Sequence, residues 1–228
     1  KSEFEAVKQF LDGLLQELWA VGHPARCIVI PGNHDVWRTT AAHPKGYWPG
    51  LHRLQDFDDV FGSGSFVLKD IPEAARQHLE PMSLSDLYRT RGSSKEKASH
   101  ENERSRKICE YFPSFQLALL KLDSNVRTSK FLPPHFARGF VGRPQRDVCE
   151  RILHDYEQAT AKTTIRFSDA NRVALLHHHV TRLPNVDLED WMLMKDAGEV
   201  ARWLAHMGVR LILHGHYHRA DFMGLTYW

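Results

Sequence analysis

The sequence predicts an α/β domain, and three observations carry that prediction. Amphipathic stretches with helical spacing alternate with short apolar runs, the runs are bounded by glycine, proline or polar residues, and the chemically loaded residues fall just after the runs. Such a pattern lines up the carboxyl ends of the strands along one edge of a sheet, where the ligand pockets of open α/β folds form.

The first helix is expected over 2–19, where Phe4, Val7, Phe10, Leu11, Leu14, Leu15, Leu18 and Trp19 follow the i, i+3, i+4, i+7 stripe. Ser2 and Glu5 have capping-box spacing, and Gly22 and Pro24 end the helix. Residues 26–30 read as a strand buried on both faces, because Ile28, Val29 and Ile30 are β-branched and apolar while Pro31 and Gly32 stop the ladder. Asn33, His34 and Asp35 then sit just past the strand end. An amide oxygen can ligate a metal, an imidazole can donate a proton, and a neighbouring carboxylate can fix the imidazole's tautomer or raise its pKa. Taken alone, the triplet is as readily a polar turn.

Residues 36–68 are rich in glycine, aromatics and histidine and are expected as a loop, with Trp37, Arg38, His43, Tyr47 and Trp48 beside the site. Arg38 is the expected phosphate contact, since a guanidinium fork matches phosphate oxygens. A surface loop with a few packed aromatics is the alternative. From 89 to 107 almost nothing is apolar, so this stretch is expected as a solvated excursion or flexible insertion within a single domain spanning 1–228. A strand over 115–122 ends in Asp123-Ser124-Asn125, where Asp123 is expected to cap the turn rather than ligate. A helix over 144–156, with Pro144 in its first turn and Val148, Ile152 and Tyr156 along one side, precedes a strand over 173–176. The last helix is expected over 196–207, with an Asp196…Glu199 capping pair, Val200, Trp203, Leu204 and Met207 inward, and Gly208 just past its end. A strand over 209–213 follows.

The 228 residues, 42% hydrophobic and 25% charged, suit one soluble domain with a sizeable core. Thirty Lys and Arg against 28 Asp and Glu leave a formal net charge of +2, so no strong overall field announces nucleic acid or membrane as partner. A local basic patch, and with it nucleic acid, stays open. Cys27, Cys109 and Cys149 are odd in number and widely spaced, which speaks against a disulfide framework and for a reducing compartment such as the cytoplasm. No apolar run approaches the roughly 20 residues of a membrane span.

The histidines are distributed unevenly. Of fifteen, six fall in Leu175-Leu176-His177-His178-His179 and Leu213-His214-Gly215-His216-Tyr217-His218. Both stretches repeat one design, an apolar run with histidines where it ends. Neutral imidazole is the commonest metal ligand, and two histidines two residues apart around a tight turn can reach one metal or two neighbouring ones.

Gly32-Asn33-His34-Asp35, then His177 after an apolar run, then Gly215-His216-Tyr217-His218, in that order, resemble the calcineurin-like metallophosphoesterases. His177-His178-His179 is most similar to the class III cyclic nucleotide phosphodiesterases, although Val180 stands where those usually have proline. The resemblance covers roughly 4–224 and is faint between about 47 and 112. The family's pattern opens with Asp-x-His and Gly-Asp, and neither occurs here. The expectation is therefore an excerpt of a longer protein, incomplete at its N-terminus and at its C-terminus too; a chain that has lost both motifs is the alternative.

The resemblance implies a sandwich of two mixed β-sheets flanked by helices. It implies Asn33, His177 and His216 on one metal and His218 on a second, with the remaining ligands supplied by the absent motifs. Two divalent or trivalent ions, Mn, Fe or Zn, about 3.5–4 Å apart would clamp a phosphoryl group and hold a bridging hydroxide as nucleophile. His34 would then act as acid or electrostatic stabiliser at the leaving group, oriented by Asp35. His178 and His179 are either groups supporting the ligands or simple packing, and His214 is expected to be structural. The implied activity is hydrolysis of a phosphate ester, a cyclic or linear phosphodiester before a monoester. A DNA-processing nuclease of the same family, and an inactive scaffold that binds a protein partner, are the alternatives.

Overall fold

In the computed structural model, residues 2–31, 55–62, 64–68, 71–125, 139–181 and 193–216 are described. In chain order they form α1 (Ser2–Ala20), β1 (Arg26–Ile28), α2 (Gln55–Phe61), β2 (Ser65–Val67), α3 (Glu73–Leu79), α4 (Ser85–Thr90), α5 (Lys95–Arg106), β3 (Cys109–Phe112), β4 (Leu117–Lys121), α6 (Arg143–Thr160), β5 (Asn171–Leu176), α7 (Ala197–His206) and β6 (Val209–His214). The class is α/β as expected, with a two-stranded sheet, β1-β2, and a four-stranded mixed sheet in the order β3-β4-β5-β6. The chain divides into two compact units, residues 1–29, 55–120 and 149–171 in the first and 30–54, 121–148 and 172–228 in the second.

In the first unit α1 forms where the stripe predicts it. Gly22, at φ +82°, takes the left-handed conformation that lets its N–H bond the Trp19 carbonyl (2.9 Å) while His23 N–H bonds Leu18 (2.9 Å). That 6→1 and 5→2 pair is a Schellman ending. The stripe is wider than the face that is covered: Leu15 is buried, whereas Phe10 is 70% exposed and Val7 and Leu14 are about half exposed. Phe4 makes edge contacts with Phe57 and Phe61 of α2, at 6.0 and 6.1 Å between ring centres.

Two expectations need correction here. The strand after α1 is a three-residue, half-buried partner of β2 in an antiparallel ribbon, not a strand buried on both faces. A short β-branched run reads alike in either setting, and only the pairing partner separates them. The stretch 89–107, read as a solvated excursion or flexible insertion, is mostly exposed but largely helical, ending α4 and containing α5. Local devices order it in place of apolar mass. Ser94 Oγ caps α5 by accepting from Lys97 N–H (3.3 Å), Asn102 Oδ1 accepts from Leu84 N–H (2.7 Å), and Ala98 and Ser105 are buried. Within 36–68, α2 and β2 likewise occupy part of what the composition suggested was loop.

The first unit's core centres on three fully buried rings, Tyr111, Tyr156 and Phe167, with centres 5.0–5.8 Å apart. Edge and stacked pairs of this kind add about 0.5–1.5 kcal/mol beyond their buried area. Beside it the buried Asp155 accepts from the Tyr88 hydroxyl (3.3 Å) and pairs with Arg91, which satisfies a carboxylate that would be costly to bury alone.

In the second unit α7 connects β5 to β6, which pair in parallel from Arg172↔Val209 to Leu176↔His214. Val200, Trp203 and Leu204 face inward as the spacing predicts. Asp196 does not make the expected capping pair. Its carboxylate instead accepts from Val141 N–H (3.3 Å) and Gly142 N–H (2.8 Å), and Glu199 pairs with Arg146 (2.8 Å). The two amides in the turn before α6 compete for the carboxylate and win, because they are buried donors that need an acceptor. Replacing Asp196 with alanine should lower the unfolding free energy by about 1–3 kcal/mol in urea titrations, and Asp196→Asn, which keeps one acceptor oxygen, by less. A loss under about 0.5 kcal/mol for the alanine variant would show that these bonds stabilise little.

Candidate functional site

Parallel pairing is what assembles the site. β5 and β6 run side by side and end level with one another, Leu176 opposite His214, and Gly215 N–H continues the ladder by donating to the His177 carbonyl (3.2 Å). Residues that follow adjacent parallel strands therefore start within about 5 Å of each other. His216 completes the approach by turning into the left-handed region, φ +74°. For a residue with a Cβ this costs roughly 1–2 kcal/mol, so the conformation persists only because its surroundings hold it.

The result is a cluster of three imidazoles. His177, His178 and His216 each offer a ring nitrogen, and these nitrogens lie within 4.8 Å of one another. His177 Nε2 and His216 Nδ1 are 2.9 Å apart. Two nitrogens at that separation, each about 2.0–2.1 Å from an ion, would subtend an angle of about 90° there, as neighbouring ligands in an octahedral or five-coordinate sphere do. The pair is thus compatible with a shared metal ion, imidazole being among the preferred ligands of transition metals.

The loop after β4 supports the cluster from behind. Asp123 Oδ1 accepts from Asn125 N–H (2.8 Å), the turn-capping role expected of it. Ser124, fully buried, was not singled out by the sequence. Its hydroxyl oxygen lies 3.2 Å from both His177 N and His178 N, accepting from each, and 2.9 Å from His178 Nδ1. Asn125 Nδ2 donates to the Pro31 carbonyl (3.0 Å), pinning the chain just ahead of the Asn33 segment. Gly139 is the other missed position. A Cβ there would lie 2.5 Å from His178 Cγ and 2.7 Å from Met194 Cγ, so only glycine lets the backbone pass this close to the ring.

His179 and His214 form a second pair, ring centres 4.0 Å apart. Burial, then the neighbouring His214 and His216, push the His179 pKa down from 6.5 to about 4, and burial also lowers that of His214. These rings are held neutral next to the cluster. Asn33, His34, Asp35, Arg38 and His218 lie outside the described residues. Of the expected site residues, the structure brings together His177 and His216, adds His178 to them, and sets His179 against His214 instead.

No protein-family model, curated protein or solved structure matches this chain.

Two consequences can be measured. Gly139→Ala must displace His178 or the backbone; it should cost about 1–3 kcal/mol of stability and perturb the His178 ring resonances, and an unperturbed spectrum would contradict the close approach. His179 gives stability a definite pH dependence. Its folded-state pKa, about 4, lies below the ordinary 6.5, so between those values the unfolded chain binds more protons and stability falls as the pH drops. In His179→Gln the dependence over that window should be shallower, and an unchanged slope in denaturant midpoints would refute the assignment.

Proposed function

We propose that this chain belongs to a binuclear metal-dependent phosphoesterase, with the layered metallophosphoesterase architecture, acting on a phosphodiester. The convergence of His177 and His216, with His178 beside them, carries this reading, because two imidazoles whose nitrogens lie 2.9 Å apart at the ends of adjacent strands can share one transition metal. The resemblance of Gly32-Asn33-His34-Asp35 and Gly215-His216-Tyr217-His218 to that family adds the reaction class. In this scheme His177 and His216 hold one ion together with Asn33, and His218 holds the second. When bound, a pair of such ions supplies Lewis acidity that polarises a phosphoryl group and activates water. The chain's own part is to fix the imidazoles in place and to offer His34, oriented by Asp35, as the group that gives the leaving oxygen its proton. Arg38 would bind a phosphate oxygen through its guanidinium. The reading puts the enzyme in a reducing compartment such as the cytoplasm, in keeping with three cysteines that form no disulfide. No helix among the described residues is long and apolar enough to cross a membrane.

The test is turnover of bis(p-nitrophenyl) phosphate and p-nitrophenyl phosphate by the full-length protein with Mn²⁺, Fe²⁺ or Zn²⁺. Diester hydrolysis that a chelator removes, that added metal restores, and that His177→Ala and His216→Ala abolish is the expected outcome. Equal turnover by wild type and both variants would end the assignment, and turnover confined to DNA ends would transfer it to a nuclease of the same family.

A further inference from the structure

The three imidazoles of the cluster are not equivalent, and Ser124 is what distinguishes them. A serine hydroxyl has two lone pairs and one proton. Ser124 Oγ accepts from two peptide N–H groups, those of His177 and His178, both at 3.2 Å. A peptide N–H can only donate, so these two bonds use both lone pairs. What the hydroxyl has left is its proton, and the partner it meets is His178 Nδ1, 2.9 Å away. Nδ1 must then be the acceptor, and a neutral imidazole that accepts at Nδ1 carries its own proton on Nε2. Ser124 and His178 are both fully buried, and Gly139 packs against the ring with no space for a Cβ, so the side chain is held in this orientation.

We infer that Ser124 is a positioning residue that locks His178 as the Nε2–H tautomer, with Nδ1 accepting from the serine, so that His178 is a neutral hydrogen-bond donor and not a third metal ligand. A ring nitrogen that bears a proton has no lone pair for an ion. His177 and His216 are then the two metal-ligating imidazoles, and a donor N–H on His178 suits an anionic oxygen, such as one of a phosphoryl group, in preference to a cation. Only this last step rests on the phosphoesterase reading. The tautomer follows from the serine's valence alone.

Long-range ¹H–¹⁵N spectra of histidine-labelled full-length protein read the tautomer directly, at a pH above the ordinary imidazole range and with or without Zn²⁺ as a diamagnetic probe. The His178 signals are assigned by their loss in His178→Gln. In wild type His178 should show a protonated Nε2 and a bare Nδ1, unchanged by Zn²⁺. Ser124→Ala should release the constraint and populate the other tautomer, and Ser124→Thr, which keeps a hydroxyl, should restore it. His178→Gln should leave Zn²⁺ affinity within about threefold of wild type, whereas His177→Ala and His216→Ala should weaken it by at least about tenfold. A protonated Nδ1 in wild type, a coordination shift of His178 Nε2 on adding Zn²⁺, or equal losses of affinity for His178→Gln and His177→Ala would overturn the inference. If Zn²⁺ does not bind at all, the phosphoesterase reading fails while the metal-free spectra still decide the tautomer. If Ser124→Ala does not fold, the wild-type and Ser124→Thr spectra decide it.

Discussion

The register between β5 and β6 is the constraint on which the histidine cluster depends. The two strands share five paired positions, and the pairing slips once: Arg172 faces Val209 but Val173 faces Leu211, so Arg210 is the extra residue of a bulge. Without that bulge Leu176 would face Leu213, and everything after β6 would sit about 3.3 Å, one residue, out of step with His177. Side chains alternate along a strand, so the slip would also exchange the faces on which His214 and Leu213 lie. Bulges re-aim side chains next to sites, and here the one bulge sets which atoms of the two strand ends can meet.

Packing many imidazoles into one buried volume is expensive if any of them is charged and tolerable if all are neutral. Desolvation disfavours imidazolium at both His179 and His214, and at His179 a charge on His214 or His216 would disfavour it further. Neutrality has a chemical consequence as well. An imidazole that binds a metal must offer a lone pair, so a ring that ligates must likewise be unprotonated. Stability and chemistry therefore make the same demand on the rings.

The sequence disclosed the parts of this structure that rest on periodicity and lost those that rest on pairing or on single polar contacts. α1, α6, α7, β5 and β6 were legible because an apolar stripe or run reports burial directly. α5 was not: Lys95 to Arg106 buries little beyond Ala98 and Ser105, and its order comes from a cap and a few side-chain bonds that leave no apolar signature. β1 had the residues of a buried central strand, yet its partner, β2, came from a stretch read as loop. Asp196 matched a capping pattern, but the acceptor it supplies went to amides 54 and 55 residues away in sequence. A pattern can state that a carboxylate accepts; only the fold states from whom. In the site, the clustering of six histidines at two strand ends was visible as composition, while the contributions of Ser124 and Gly139 depend on distances across 54 and 39 residues of chain.

What separates a functional cluster from a coincidental one is that the chain accepts local costs to build it. His216 sits at a positive φ that asparagine or glycine would tolerate better, Gly139 gives up a side chain to let His178 approach, and Ser124 spends a buried hydroxyl on two successive amides of the histidine run. Each bears on where the rings of His177, His178 and His216 lie, and violations of local preference that converge on one set of side chains are expected where positions are held for chemistry. A histidine-rich turn with no task could relax the first of these, since glycine at 216 would remove the strained backbone.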